Sequence, residues 1–501
     1  LTGRALTTED TAAAKADLMA AAGLFEDQCR LLPGDEVRSA FQADHLLPFV
    51  ELVRLELQRH DTALQADATA LLLALDRFRA RSLGDRMSSS KGDTSEPERS
   101  AAVDLRARVV WLYRRLQRLQ DEAGTSTELT AQLRSAEREL LERLRRARLV
   151  ETGDADVRID AVELDASALR AALRNGDALV EYGVIADELF ACIVTQQGVR
   201  VQRHLASWRE VSAALHSLRL QLDTMRHGLQ RLQRHLPLLT QRIQACLQRL
   251  HSLVWQPMAA QLRSCHRILI VPHADIGALP MGALHDGQRN LAEQHELAFA
   301  LSARLALRGL TWQPAVTRRV LALGESTRLP HAAQEARTVA AMWPEGRAFV
   351  GSAATAAALR QHGEAAQVIH LACHAQFRTD NPVFSSLDLH DGPLSAESIE
   401  SLRLEGAVVV LSGCETGVHD GAAGDEAFGL TRAFLVASAA RVIASLWAVD
   451  DATTAQLMAD FHASLRSGLN PAAALRRAQL NARERHEHPF YWAAFTLTGG
   501  W

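Results

Sequence analysis

A histidine and a cysteine each follow a short apolar run in the second half of the chain. His374 ends the segment Val-Ile-His-Leu-Ala-Cys-His (368–374), and Cys414 follows Val-Val-Val-Leu-Ser-Gly (408–413). Short aliphatic runs closed by small residues are typical of buried parallel strands. In open α/β sheets, groups beyond the carboxyl ends of neighbouring strands meet in one crevice. The pattern therefore predicts an imidazole beside a thiol, which is what a cysteine nucleophile with a histidine base requires.

Taken singly, each residue is more often a packing residue, because a free cysteine behaves as a small hydrophobe. Gly413 and Gly417 flank Cys414 and free its backbone, which favours the catalytic interpretation for the pair. Such a site also needs hydrogen-bond donors for the oxyanion of the tetrahedral intermediate. The backbone N–H groups of Ala375 and Cys414 are the candidates.

Metal binding is the competing chemistry, with His370, Cys373, His374 and Cys414 as a zinc-like set. On one straight strand, His370 and His374 would lie about 13 Å apart at ~3.3 Å per residue. Zinc ligands lie only about 2.0–2.3 Å from one ion, so both histidines could not share it. Cys373 would also point to the opposite face from His374. We therefore expect no metal and no cofactor.

After Trp312, strand-like and helix-like segments alternate, which is typical of a parallel sheet covered by helices. The predicted strands are Val320–Leu323, Val368–Ala372, Val408–Leu411, Val442–Leu446 and Phe495–Thr498. The predicted helices lie near 331–342, 354–362, 395–402, 425–438, 452–466 and 471–486.

The length of 501 residues predicts two or three domains. We expect an α-helical region at 1–150, with a polar linker at 88–100 and a helical hairpin at 104–148 joined by Gly124–Thr127. Strand patterns begin near residue 176, and a second helical hairpin interrupts them at 209–262. These features divide the chain into 1–150, 151–310 and 311–501.

Composition narrows the function classes. A net charge of −4 and an aromatic content of 5% argue against direct nucleic-acid binding, although arginines cluster at 104–118 and 134–148. No apolar run reaches the ~18 residues that a membrane span needs. The six scattered cysteines suggest free thiols in a reducing compartment, and we expect a cytoplasmic protein. Because the chain opens on Leu1 with no signal peptide, we expect it to be an excerpt.

Over roughly 170–501 the motifs resemble the CHAT family, caspase-like domains associated with tetratricopeptide repeats, in the caspase–separase clan of cysteine peptidases. The motifs that carry the resemblance are Val368-Ile-His-Leu-Ala-Cys-His374, Val409-Val-Leu-Ser-Gly-Cys-Glu-Thr-Gly417, Gly424-Asp-Glu426, Val442-Ile-Ala-Ser-Leu-Trp-Ala-Val-Asp-Asp451 and His488-Pro-Phe-Tyr-Trp-Ala-Ala-Phe495.

The resemblance implies that His374 is the base and Cys414 the nucleophile. It also implies a caspase-like α/β/α sandwich with a parallel sheet, in which a degenerate unit (151–310) precedes an active unit (311–501) after the helical region. The family usually has glycine where this chain has Ala375. Asp450 and Asp451 would lie where related enzymes hold the side chain before the cleaved bond, favouring Arg or Lys there. The alternative is a carboxylate at a helix N-terminus.

The expected function is a cysteine endopeptidase that cleaves a specific protein partner. By the resemblance, its helical region or a regulatory protein partner bound to the N-terminal helices would control it, in bacterial defence or cell-death signalling. The alternative is a catalytically inactive caspase-like module that signals by interaction, and Ala375 is its local support.

Overall fold

The computed structural model describes residues 1–8, 10–31, 46–62, 67–79, 164–312, 319–327, 329–376, 385–413, 423–447 and 451–501, with scattered positions between 105 and 142. The predicted linker at 88–100 and much of the hairpin at 104–148 lie outside them. The chain divides into two compact units. One comprises Leu1–Leu52 with Arg81–Val162, and the other Val53–Ala80 with Glu163–Trp501.

The first unit is helical in its described residues, as the sequence predicts. It contains α1 (Thr2–Ala5), α2 (Thr11–Leu31) and the beginning of α3 (Leu47–Thr62). The rings of Phe25 and Phe49 meet edge to face at 5.7 Å. Four apolar residues of the predicted hairpin are helical and buried, which fits an amphipathic helix pair. They are Leu105, Leu112, Leu133 and Ala136.

The second unit is built on one large mixed sheet. In the part of the chain that the structure describes, eleven strands of this sheet follow the order β3-β2-β1-β4-β5-β14-β13-β12-β8-β6-β7, and β11-β10-β9 form a small second sheet. The strands are β1 (Asp177–Ile185), β2 (Glu188–Thr195), β3 (Gly198–Ser207), β4 (Arg267–Val271), β5 (Glu296–Phe299), β6 (Arg319–Gly324), β7 (Glu345–Val350), β8 (Val368–Ala372), β9 (Ala375–Gln376), β10 (Ser386–Leu389), β11 (Gly392–Ser395), β12 (Val408–Leu411), β13 (Arg441–Ser445) and β14 (Phe495–Thr498).

Helices connect and cover these strands. They are α4 (Thr69–Arg79), α5 (Ala166–Ala172), α6 (Trp208–Leu232), α7 (Leu236–Val254), α8 (Ala259–Leu262), α9 (Leu291–Gln294), α10 (Ala303–Thr311), α11 (Ala332–Ala341), α12 (Ala356–Gly363), α13 (Ala396–Glu400), α14 (Ala423–Val436), α15 (Asp451–Arg466) and α16 (Pro471–Arg485). The pair α6 and α7 lies where the second helical hairpin is predicted. No described helix is long and apolar enough to cross a membrane.

The sheet is mostly parallel but not entirely so. β1, β2 and β3 pair antiparallel, because turns of two residues join them. β14 also runs antiparallel to β13. Two helices, α15 and α16, lie between β13 and β14, and β14 begins opposite Ser445, at the end of the sheet where β13 finishes. The predicted parallel sheet is thus a mixed one.

Side chains of β8 and β12 alternate between two layers. Ile369, Leu371, Val409 and Leu411 pack in a core with residues of α12, α13 and α14. His370, between two of those positions, contacts α11 and α15 on the other face. The helices thus lie on both faces, as expected for an α/β/α sandwich. β1–β5 and the later strands share one sheet, so the predicted boundary near residue 310 stays a prediction.

Candidate active site

The two motifs leave the sheet from neighbouring strands in matched register. β8 and β12 pair in parallel, with Val368 opposite Val408 and Leu371 opposite Leu411. The ladder extends one residue further, since the Ser412 N–H donates to the Leu371 carbonyl over 3.1 Å. His374 and Cys414 each come three residues after the last pair. The carboxyl ends of the strands therefore bring the two motifs out at the same edge.

Gly413 packs against the backbone of the histidine motif. A Cβ atom at this position would lie 2.5 Å from the Cys373 carbonyl oxygen and 2.9 Å from the Cys373 nitrogen. Real Cβ atoms essentially never come so close, so the site requires glycine for space. The sequence suggested conformational freedom, but Gly413 does not have a positive φ. Cys414 and Gly417 lie outside the described residues.

His374 occupies the short segment between β8 and β9. The chain bends at Cys373, and His374 is 8% exposed. The carbonyl oxygen of His374 accepts the Asp388 N–H at 2.8 Å. His374 is therefore fixed from both sides, by β8 before it and by the small sheet after it.

Ala375 lies on β9, the edge strand of the small sheet. It pairs with Leu387, and Asp388 donates to His374 next to that pair. In an antiparallel ladder this is a pair without mutual hydrogen bonds, so the Ala375 N–H points away from β10. Ala375 is fully buried and is not among the described non-glycine residues with positive φ. Alanine in place of the family's glycine therefore costs no backbone strain.

Two residues of the metal alternative, Cys373 and His370, lie on different faces of the sheet. Cys373 packs in the core with Ile369 and Leu371. The His370 imidazole instead contacts Glu335 at 2.8 Å on the other face. Among the described residues, no group of three His, Cys, Asp or Glu side chains could hold a metal ion.

The predicted pocket acids fall at the start of α15. Asp451 is the first residue of that helix, and its carboxylate accepts the His331 N–H at 3.0 Å. This contact ties α15 to the residue before α11 and fits the helix N-terminus alternative. Asp450 lies outside the described residues.

The sequence did not indicate that three buried polar residues of the described chain contact the strands. Glu325 follows β6, donates its N–H to the Ala372 carbonyl at 2.9 Å and accepts from Thr327. An acid directly after an apolar run was the available signal for it. Glu335 and His462 lie on helices, where no local pattern indicated contact with the sheet.

A second strand end, that of β4, is occupied by a helix from the N-terminal part of the chain. Arg79 of α4 donates to the Pro272 carbonyl at 2.7 Å and to the Tyr182 carbonyl, and its Nε lies 3.6 Å from Glu181 Oε1. Burial raises the pKa of Glu181 to about 8. Burial, with Arg79 nearby, lowers the pKa of His273 to about 4.

Comparison with known proteins agrees with this architecture. A segment of 108 residues is 36% identical to tetratricopeptide repeat protein 28 of Mus musculus, and the human protein matches at 35%. The segment is 21% of this chain and 4% of those proteins. A chain of the Saccharomyces cerevisiae separase–securin complex superposes with a TM-score of 0.55 at 10% identity, over 98% of this chain and 37% of that one. The fold is therefore the caspase-like one predicted.

The family profile of the CHAT domain matches residues 244–500, which is 257 of the 501 residues. The matched range contains both motifs, the mixed sheet from β4 onward and the helices on its two faces. By this match, the chain belongs to the CHAT domain family.

Proposed function

We propose that this protein is a cysteine endopeptidase of the caspase-like type that cleaves a protein partner. One observation carries the proposal: Gly413, bonded to Cys414, packs directly on the residue before His374. Consecutive Cα atoms are about 3.8 Å apart, so the bonded Cys414 would lie close to the histidine, which supports the proposal.

In the proposed reaction, His374 takes the thiol proton and the Cys414 sulfur attacks the scissile carbonyl carbon. His374 then gives the proton to the leaving amine as the C–N bond breaks. Water, deprotonated by the same imidazole, hydrolyses the thioester and releases the cysteine. The Ala375 N–H, which the β9–β10 ladder does not use, and the Cys414 N–H would stabilise the oxyanion.

For specificity, we propose a preference for Arg or Lys before the cleaved bond, carried by Asp450 with Asp451. Asp451 already accepts the His331 N–H, which holds its carboxylate at the start of α15, so Asp450 would make the larger contribution to binding the basic side chain. A neutral substitution at Asp450 would then lower cleavage after basic residues more than one at Asp451.

Control by a regulatory protein partner at the N-terminal helices is a further part of the proposal, with bacterial defence or cell death as the setting. Its support is that α4 is attached to the sheet by the Arg79 contacts to Pro272 and Tyr182. A change transmitted to α4 would reach β1 and β4 directly. A thiol nucleophile must stay reduced, so we place this function in the cytoplasm.

The test is cleavage of an unbiased peptide library, read by mass spectrometry, by the wild type and Cys414→Ala. Cys246→Ala, at a half-buried cysteine on α7, is the matched control. We expect cleavage by the wild type and the control, and none by Cys414→Ala. Cleavage that survives Cys414→Ala would overturn the proposal. A cellular function that survives this substitution would instead indicate the interaction module.

A further inference from the structure

A cluster of four buried polar side chains lies against the same two strands, on the face of α11 and α15. It contains Glu335 of α11, His370 of β8, His462 of α15 and Ser412, the residue after β12. None is more than 5% exposed. Buried polar groups are costly unless they are hydrogen-bonded to one another.

The His370 imidazole joins the other three. Its Nε2 lies 2.8 Å from Glu335 Oε1 and 3.3 Å from Ser412 Oγ, and its Nδ1 lies 3.2 Å from His462 Nε2. A carboxylate only accepts, so the tautomer that fits has the proton on His370 Nε2, shared by Glu335 and Ser412. His462 then donates its Nε2–H to His370 Nδ1. This assignment follows from the contacts.

The charge of the cluster is consistent with that assignment. Burial, with His370 nearby, holds the pKa of His462 well below its usual range, so His462 is a neutral donor. Glu335 is then the acidic group that faces His370 from α11, and His462 faces it from α15. The ring of Trp343 packs edge-on against His462 at 6.3 Å.

Ser412 connects this cluster to the nucleophile. The Ser412 N–H donates to the Leu371 carbonyl at 3.1 Å, and the Ser412 hydroxyl accepts from His370 Nε2. In the sequence, only Gly413 separates Ser412 from Cys414. We propose that Glu335, His370 and Ser412 are positioning residues that fix the direction in which the chain leaves β12 and so hold Cys414 in line with His374. This inference rests on the proposed peptidase function.

Packing alone does not explain the cluster. Apolar residues of similar volume fill a buried site without the cost of desolvating a carboxylate, and such replacements are often neutral or stabilising. The polar cluster instead fixes an orientation, because one imidazole with three hydrogen-bond partners is held in a single position. That orientation is passed to the hydroxyl two residues before the nucleophile.

The test is steady-state cleavage by Ser412→Ala beside a matched control, Ser445→Ala. Ser445 ends the adjacent strand β13, is fully buried, and its hydroxyl has no partner among the described residues. We expect Ser412→Ala to lower kcat about tenfold with KM and Tm unchanged, because small misplacements of reacting groups are costly. Ser445→Ala should leave kcat unchanged. Equal kcat values for the two variants would overturn the inference while the peptidase function stands.

Glu335→Gln supplies a second measurement, since it keeps the side-chain shape and removes the charge. We expect Glu335→Gln to lower kcat. In the double variant Glu335→Gln/Ser412→Ala, the fold-loss in kcat should be smaller than the product of the two single fold-losses, because both residues act through His370. Fully multiplicative losses would contradict the inference. A wild type that cleaves no peptide and whose Cys414 is alkylated as slowly as in the unfolded chain would overturn the peptidase function, and the inference with it.

Discussion

Two strands of the large sheet are each followed, two residues later, by a histidine, but the surroundings of the two histidines differ. His374 is the second residue after β8, and His273 is the second residue after β4. Beside β8, the parallel neighbour β12 brings Gly413 against the backbone. Beside β4, the parallel neighbour β1 brings Glu181, and α4 inserts Arg79.

The groups packed at the end of each strand therefore determine whether its histidine can act as a base. His273, half-buried beside a guanidinium, has a pKa of about 4 and is too weak a base for catalysis near neutral pH. His374 has the cysteine motif next to it instead. A strand-end histidine is thus not sufficient for a catalytic site, which fits the predicted pairing of a degenerate unit with an active one.

The largest expected effect is on kcat/KM, and it should be seen for His374 and not for His273. We expect His374→Ala to lower kcat/KM by about 10²–10⁴-fold, the usual contribution of a general base. His273→Ala should leave it within about twofold, because that imidazole does not take part. Peptide cleavage by the two purified variants is the measurement. Equal losses would mean that the two strand ends are not distinguished in this way.

The next effect concerns the side-chain contacts that fill the β4 end. With a pKa of about 8, Glu181 is mostly protonated near neutral pH, so Arg79→Met leaves no unpaired carboxylate and instead removes the hydrogen bonds to the Pro272 and Tyr182 carbonyls. We expect a loss of about 2–4 kcal/mol in the free energy of unfolding, at about 1–3 kcal/mol for each unsatisfied group. Adding Glu181→Gln should change that loss little, because no buried charge is left to remove. Denaturant unfolding measures both, with the exposed Arg249→Met as control. A loss no greater than that of the control would contradict the account of this strand end.

A smaller effect is expected at the β12 end. Gly413→Ala places a Cβ atom 2.5 Å from the Cys373 carbonyl oxygen. This should lower the free energy of unfolding by about 1–3 kcal/mol and displace Gly413 from the Cys373 backbone. Gly198→Ala, at the start of β3 where nothing lies within 4 Å of the added atom, is the control. Thermal unfolding and kcat report the two consequences. If both variants match the wild type, the motifs are not in the close contact described.

The smallest effect is the pH dependence that His273 gives to stability. Its pKa falls from 6.5 in the unfolded chain to about 4 in the folded one, so the unfolded state binds the proton more tightly. Stability should therefore fall as pH is lowered from about 6.5 toward 4, by about 0.8 kcal/mol at pH 6 from this residue. His273→Gln should flatten that slope in unfolding curves measured from pH 7 to 5. An unchanged slope would contradict the half-buried, neutral state of this histidine.

The strands that bear the histidine and cysteine motifs were predictable, because β8 and β12 are short, mostly apolar runs with clear ends. That the two motifs leave the sheet at the same edge was also predictable, because groups beyond the carboxyl ends of neighbouring parallel strands meet there. The edge strand β7 was missed, since its residues are mostly polar or half exposed and leave no apolar period. The contact between Glu335 and His370 was missed for a different reason: it joins a helix to a strand 35 residues away, and no local pattern reports such pairs. The same holds for Arg79 and Glu181.

The most direct test of the central claim is the rate at which iodoacetamide alkylates Cys414 as a function of pH, in the wild type and in His374→Ala. If the imidazole activates the thiol, Cys414 of the wild type reacts at a lower pH than a cysteine of the unfolded chain, and His374→Ala loses that advantage. If the two profiles coincide with each other and with that of the unfolded chain, His374 does not act on Cys414 and the proposed peptidase is contradicted.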